Sequence, residues 1–170
     1  MPKSSDKFLL FFILGIVVIL AITFIIIFRT PEPTYTEDDN PEGVVFNYIL
    51  ALRKADYEKA LGYLSPSLEE HPRSAKKFSQ LVNENPYVFG NLSDDFIIKV
   101  EQTQLTEDQA TVEVTQTHFY SSGLFYRREY TTDFEMRLEF ENNEWKIIYG
   151  SKYWFYCWGD PTVSCYGKPQ

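Results

Sequence analysis

Two groups of polar and aromatic residues continue, at every second position, the apolar alternation of two predicted strands. Their members are Gln116, His118 and Tyr120 in the first group, and Tyr126, Arg128 and Tyr130 in the second. Alternate residues of a strand share one face, so both groups are expected to form one wall of a cavity, a candidate ligand pocket. A bulge near Ser121-Ser122-Gly123 would shift this parity and turn either group outward.

His118 is the candidate general base of this wall, because imidazole exchanges protons near neutral pH. The other histidine, His71, precedes Pro72 at a predicted helix break and is expected to be exposed. A catalytic base normally needs a positioned partner, and no acidic residue in the same strand stretch shares the parity of His118. Three interpretations stay open for the wall: a catalytic site, a polar ligand pocket, or ordinary residues at strand ends.

An aromatic segment surrounds one cysteine near the C-terminus. Its members are Tyr153, Trp154, Phe155, Tyr156 and Trp158. Aromatic clusters commonly anchor protein interfaces, so the segment is a candidate docking surface. Two alternatives stay open: a plug that closes one end of the domain, and a belt at the membrane interface, where Trp and Tyr also settle.

The two cysteines, Cys157 and Cys165, flank the turn-forming tripeptide Gly159-Asp160-Pro161. The turn would bring the thiols together, which predicts a disulfide in an oxidising compartment; two reduced thiols are the alternative. Only His71 and His118 could supplement the pair as metal ligands, so we predict no metal site and no cofactor. The sequence has no nucleotide-binding glycine loop, no HExxH motif and no GxSxG elbow.

An uncharged apolar run extends from Phe8 to Phe28. At about 1.5 Å per residue it can cross a hydrocarbon layer of about 30 Å, which predicts a transmembrane helix over residues 8–28. A cleaved signal peptide is the alternative. Its apolar run would be shorter, and the nearest small-x-small site, Ala21-Ile22-Thr23, lies inside the run.

The charges that flank the apolar run predict its orientation. Lys3 and Lys7 precede it and acidic residues follow it, so residues 1–7 are expected in the cytoplasm and the domain outside it, at the cell membrane. Residues 29–40 are acidic and contain prolines, which predicts a tether. The formal net charge of the chain is −8, which argues against nucleic acid as a partner.

Capping residues and proline positions indicate three helices after the tether. Asn40 before a proline predicts the first, Asp56 opens a short second, and a third begins at residues 73–74 and ends before Pro86. The first helix carries one apolar stripe, which faces a core. The stripe consists of Val45, Tyr48, Ile49 and Leu52.

After Asn91 the apolar period changes from 3.6 to 2, which predicts strands. Short turn-forming connectors join the alternating stretches, so four antiparallel strands are expected to pair in order, the last running from Trp145 toward Phe155. Helices followed by strands is the order of an α+β fold, in which the helices cover the apolar face of the sheet.

Two motifs carry a family resemblance. One is the helix pair Pro41-Glu42-Gly43-Val44-Val45-Phe46 with Asp56-Tyr57-Glu58-Lys59-Ala60 and Leu64-Ser65-Pro66; the other is Glu144-Trp145-Lys146-Ile147. In this order they resemble the nuclear transport factor 2-like (cystatin-like cone) superfamily, in particular its small membrane-anchored bacterial branch of unknown function. The resemblance covers residues 41–156 and implies a cone, a curved sheet around a long helix with a cavity at its open end. Residues 157–170 form a tail that departs from the superfamily pattern.

Enzymes of that superfamily use a carboxylate or a His-Asp pair inside the cone, and such a set is not evident here. We therefore expect a non-catalytic, membrane-anchored accessory domain outside the cytoplasm that binds a protein partner or a small ligand. Two alternatives stay open: a small isomerase or hydrolase-like enzyme that uses His118, and a structural subunit of a larger membrane complex.

Overall fold

The computed structural model describes residues 4–28, 33–90, 92, 96–121 and 127–159. The chain forms two compact units, Met1–Thr34 and Tyr35–Gln170. The first contains helix α1 (Ser4–Phe28), whose segment Lys7–Ile25 has a mean hydropathy of 3.2 and no buried residue. A helix of this length and composition is compatible with a membrane anchor and with a signal sequence.

The second unit begins with four helices; the first two have the predicted caps, and the third begins at the predicted place. The helices are α2 (Pro41–Arg53), α3 (Tyr57–Gly62), α4 (Ala75–Glu84) and α5 (Pro86–Phe89). Side chains of Asn40, Asp56 and Ser74 accept hydrogen bonds from backbone N–H groups in the first turns of α2, α3 and α4. Helix α5 was not predicted, because four residues are too few to show a period.

Helix α2 is buried on almost every side, so the prediction of a single apolar stripe was too narrow. Asn47 lies outside the stripe and is fully buried. Its amide forms two hydrogen bonds of 2.8 Å with the backbone N–H and C=O of Thr36. A Cβ at Gly43 would lie 1.9 Å from the carbonyl oxygen of Glu37. The last residues of the predicted tether therefore pack on α2, and the folded unit begins at Tyr35.

Four long strands follow: β1 (Phe96–Leu105), β2 (Gln109–Ser121), β3 (Arg127–Glu141) and β4 (Glu144–Gly150). They pair antiparallel in the order β1-β2-β3-β4, as predicted. Asn142 and Asn143 form the turn between β3 and β4 with φ of 51° and 71°, a left-handed conformation that asparagine tolerates.

The prediction of four strands was wrong by one. Leu64 forms a parallel bridge with Ile147 of β4, with Ser65 N to Ile147 O at 3.0 Å and Ile147 N to Tyr63 O at 2.9 Å. Within the described residues the sheet therefore has five strands, the fifth reduced to one bridge. A single bridge has no period in the sequence. The last long strand also ends at Gly150 and does not continue toward Phe155.

The core lies between α2 and one face of the sheet. Helix α2 contacts β1, β2 and β4. The sheet contributes Ala110, Val112, Val114, Phe134, Met136, Leu138 and Ile147, all buried. The architecture is thus α+β, with helices packed on one face of an antiparallel sheet.

Candidate functional site

The register of β2 and β3 brings the residues of the predicted wall opposite one another. The cross-strand pairs are Gln116 with Thr132, His118 with Tyr130, and Tyr120 with Arg128. Tyr126 lies outside the described residues. Burial decreases along the wall, because Gln116 is fully buried and His118 half-buried, whereas the residues of the last pair and Tyr130 are exposed.

Gln116 joins β2 to the segment that follows β4. Its Nε2 donates a hydrogen bond to the phenolic oxygen of Tyr153 (2.6 Å). Its Oε1 accepts a hydrogen bond from Nζ of Lys152. A buried amide costs free energy unless it is hydrogen-bonded, so these two partners are what allow glutamine at this core position.

The backbone after β4 turns inward and directs Tyr153 into the core. Tyr153 has φ of 58°, which is uncommon for a residue with a side chain and must be held by tertiary contacts. The hydroxyl of Tyr48 donates a hydrogen bond to the carbonyl of Tyr153 (2.7 Å). The ring of Phe134 packs edge-on against the ring of Tyr153, with ring centres 5.7 Å apart. A Cβ at Gly150 would lie 3.0 Å from Met136 Cε, so glycine permits the close approach at this bend.

Two cations lie beside these rings. Nζ of Lys152, which is half-buried, lies 5.4 Å from the ring centre of Tyr153 and 5.7 Å from that of Phe134. Arg53, at the end of α2, donates from Nη1 to the carbonyl of Phe96 (3.1 Å), and its Cζ lies 4.4 Å above the Phe96 ring. In the described part of the chain, no carboxylate forms an ion pair with Arg53 or Lys152.

Burial changes the proton affinity of both Lys152 and Tyr153. It lowers the pKa of Lys152, because the ammonium loses solvation. It raises the pKa of Tyr153 to about 12, although the hydrogen bond from Gln116 and the positive charge of Arg53 act in the opposite direction. At neutral pH the phenol therefore keeps its proton and is a hydrogen-bond donor.

Of the two histidines, His71 is the one that contradicts its prediction. His118 lies between aromatic rings, with ring centres 5.5 Å from Phe96 and 6.2 Å from Tyr120. His71 is buried, so the expectation that it is exposed was wrong. Its Nδ1 lies 2.6 Å from the carbonyl oxygen of Leu68, a core residue, because the chain break folds onto the core and does not project into solvent.

Most of the aromatic segment belongs to the core. Tyr153, Trp154 and Trp158 are buried, Phe155 is half-buried, and Tyr156 is 73% exposed. The ring of Trp158 contacts those of Phe78, Phe89 and Trp154 at 5.8, 6.2 and 5.1 Å. The docking interpretation is therefore wrong for the three buried residues, which close the core as a plug would. Trp154, Tyr156 and Trp158 also line a groove of about 560 Å³.

The described residues include no candidate metal site. Within residues 4–28, 33–90, 92, 96–121 and 127–159, no group of three His, Cys, Asp or Glu side chains could hold one. Cys157 is fully buried, and the described residues contain no free thiol. Cys165 lies outside the described residues, so its pairing with Cys157 stays a prediction.

Sequence reasoning missed Tyr48, Arg53 and Lys152 as parts of this site. Tyr48 and Arg53 have ordinary roles in a capped helix, as a core residue and a last-turn cation. Lys152 follows a strand and has no motif around it. The one available signal was that Lys152 is the sole basic residue between β4 and the aromatic segment.

No protein-family model matches the sequence, and no curated protein matches it. Similar solved structures include a cystatin-like-fold protein of unknown function from Nostoc punctiforme, with 16% identity, 63% of this chain and 82% of that chain covered, and a TM-score of 0.46. A SEC-C motif containing protein from Rhodopseudomonas palustris has 13% identity, 69% and 81% coverage, and a TM-score of 0.47. An NTF2-like protein from Campylobacter jejuni has 20% identity, 64% and 96% coverage, and a TM-score of 0.40. All three similarities lie below 25% identity and below a TM-score of 0.5, so they carry no conclusion about the family or the role of this chain.

Proposed function

We propose that this protein is a membrane-anchored binding protein whose domain lies outside the cytoplasm and takes a small ligand where Gln116, Lys152 and Tyr153 meet. The observation that carries the proposal is the hydrogen-bonded cluster of these three residues in a largely apolar core. Apolar side chains of similar volume would fill this space at a lower desolvation cost. A ligand site is a reason to keep polar groups there.

Binding without catalysis is the proposed role of the site. His118 is the candidate general base, and its ring packs beside the rings of Phe96 and Tyr120. A ring packed among aromatic side chains suits the wall of a pocket. Turnover that is abolished in His118→Ala would contradict this proposal.

The proposed anchor is α1, retained in the mature protein. The apolar segment Lys7–Ile25, the basic residues before it and the acidic residues after it support a single span with a cytoplasmic N-terminus. The predicted pairing of Cys157 with Cys165 fits a domain outside the cytoplasm.

Ligand binding is tested by nuclear magnetic resonance on the full chain in detergent micelles. A fragment mixture is expected to shift the side-chain amide signals of Gln116 and to leave Asn83, an exposed amide on α4, unchanged. The same fragments should bind Gln116→Leu at least tenfold more weakly. A fragment set that leaves the Gln116 signals unmoved contradicts the site.

Anchoring and topology are tested in intact cells that carry a C-terminal epitope tag. Protease added outside is expected to remove the tag, and the intact mass should equal that of the uncleaved chain, 20.0 kDa before the tag is counted. A mature chain that begins after Thr23 would show cleavage, and a protected tag would place the domain inside.

The exposed ring of Tyr156 favours a second candidate function, contact with a protein of the same membrane. Extraction in a mild detergent, followed by identification of co-purifying proteins, tests this candidate. A partner that is lost in Tyr156→Ser and retained in Tyr87→Ser, a control at a fully exposed tyrosine, would support it.

A further inference from the structure

The proposed ligand site has more hydrogen-bond donors than acceptors. The Lys152 ammonium has three N–H groups, and its acceptor in the described structure is Gln116 Oε1. The Arg53 guanidinium has five N–H groups and one such acceptor, the carbonyl of Phe96. The hydroxyl of Tyr153 accepts from Gln116 and still carries a proton to donate. A ligand that complements this site must supply acceptors.

Thr132 adds a fourth donor independently of the cations. It is the cross-strand partner of Gln116 on β3. Its Oγ1 is buried and has no hydrogen-bond partner in the described part of the chain. Buried hydroxyl groups in native proteins are normally bonded, so an orphan beside Gln116 indicates a missing acceptor at this place.

The site is positively charged as well as rich in hydrogen-bond donors. The chain has a net charge of −8, yet Arg53 and Lys152 form no ion pair with a described carboxylate. Nζ of Lys152 lies 5.4 Å from the ring centre of Tyr153, and the positive charge of Arg53 acts to lower the pKa of Tyr153 against the larger effect of burial. Half-buried cations without a counter-ion are costly, and an anionic ligand would offset that cost.

We infer that the ligand is a small carboxylate with an apolar body, accepted by the Lys152 ammonium, with Tyr153 and Arg53 as further donors. This inference rests on the binding function proposed above. The buried rings of Phe96, Phe134 and Tyr153 lie beside the two cations and give the site its apolar part. A single negative charge fits better than two, because a dianion costs more to desolvate and is repelled more strongly by an acidic protein.

The test compares carboxylates with their uncharged amides on the full chain in detergent micelles at pH 7. The probe pairs are acetate and acetamide, hexanoate and hexanamide, and benzoate and benzamide. At least one carboxylate is expected to bind at least tenfold more tightly than its amide and to shift the Gln116 signals. Lys152→Met should remove this preference and Lys152→Arg, which keeps the charge, should retain it. Lys99→Met is the control, because Lys99 is exposed and paired with Glu101 at 2.9 Å.

The outcomes separate the ligand class from the binding function. Amides that bind as tightly as carboxylates overturn the anion inference and leave a binding site in place. A carboxylate preference that survives in Lys152→Met, or that is lost in Lys99→Met, overturns the role of Lys152. If no probe of either kind binds, the carboxylate inference is wrong, and the binding function then falls only if the fragment screen on Gln116 also fails. A Lys152→Met variant that does not fold leaves the wild-type comparison and Lys152→Arg to decide.

Discussion

The two halves of strand β2 share one backbone, the same two neighbouring strands and one face, yet they differ in chemistry. On the inner face, the first half carries Ala110, Val112 and Val114, all buried. The second half carries Gln116, His118 and Tyr120, whose burial falls from complete to 50% exposure at Tyr120. Alternation alone predicts the face but not the environment, so one strand can supply both a core and a binding site.

The difference in burial and chemistry arises from the residues that contact each half of β2. The register of the sheet places Leu138 and then Ile147 beside Ala110, and the Leu64 bridge closes that edge. The second half lies next to Phe96, which belongs to β1. It also contacts the segment after β4, which contributes Lys152 and Tyr153. Apolar neighbours make the first half part of the core, and polar neighbours make the second half a candidate site.

The largest expected effect comes from placing a charge in the apolar half. Val112→Asp buries a carboxylate without a partner, and we expect it to cost at least about 4 kcal/mol, a large part of the stability of a typical domain. Urea unfolding of the full chain in micelles, followed by tryptophan fluorescence, measures this. Thr111→Asp is the matched control on the other face, opposite Arg137, and should change stability by less than about 1 kcal/mol. Equal losses in both variants would mean that the two faces are not distinguished by burial.

The polar half of β2 should tolerate an apolar substitution at Gln116 only when Lys152 is replaced as well. Gln116→Leu removes the acceptor of Lys152 and is expected to cost about 1–3 kcal/mol. The double variant Gln116→Leu with Lys152→Met should recover most of this loss, because no ammonium is left without an acceptor, while carboxylate binding is lost. The same unfolding assay gives the coupling energy. Losses that simply add in the double variant would show that the two side chains do not depend on each other.

Acid should weaken the packing of His71 on the core. Burial lowers the pKa of His71 below its ordinary value of 6.5, with Arg73 acting in the same direction and the Leu68 carbonyl opposing it. Below pH 6.5 the unfolded chain takes up the proton first, so stability is expected to fall as the pH drops from 6.5 through the folded-state pKa. Unfolding of the wild type and His71→Gln at pH 7.5 and pH 5 tests this, and the variant should lose less. A loss of the same size in both would assign the acid sensitivity to other groups.

The smallest expected effect on stability lies at the open end of the polar half. Tyr120 is half exposed and stacks on His118 with ring centres 6.2 Å apart. Tyr120→Ala should therefore cost less than about 1 kcal/mol in the same unfolding assay. The comparison variant is Met136→Ala in the core, for which we expect a loss of about 2–5 kcal/mol. A loss at Tyr120 as large as that at Met136 would mean that the polar half is packed like a core.

Local signals predicted much of the fold. Helix caps such as Asn40 act through hydrogen bonds three residues away, and strand parity acts at every second residue, so both are visible in a short window of sequence. Parity also predicted that His118 and Tyr130 belong to one wall, and the register pairs them directly.

Long-range contacts explain what the sequence did not reveal. The Leu64 bridge, the packing of Thr36 on Asn47 and the inward turn at Tyr153 each depend on a partner that no local pattern indicates. His71 was misplaced for the same reason, since a proline after it indicates a chain break but not the direction in which the chain then folds.

The sequence by itself determined the apolar N-terminal helix, the caps of α2 and α3, the strand order and the face on which each strand residue lies. Only the tertiary structure decided that Gln116 forms hydrogen bonds with Lys152 and Tyr153, that Arg53 lies over the ring of Phe96, and that most of the aromatic segment closes the core. The physical reason is range. Backbone hydrogen bonds and side-chain parity are set by near neighbours, whereas burial, desolvation and the partner of a charge are set by whatever part of the chain folds over it.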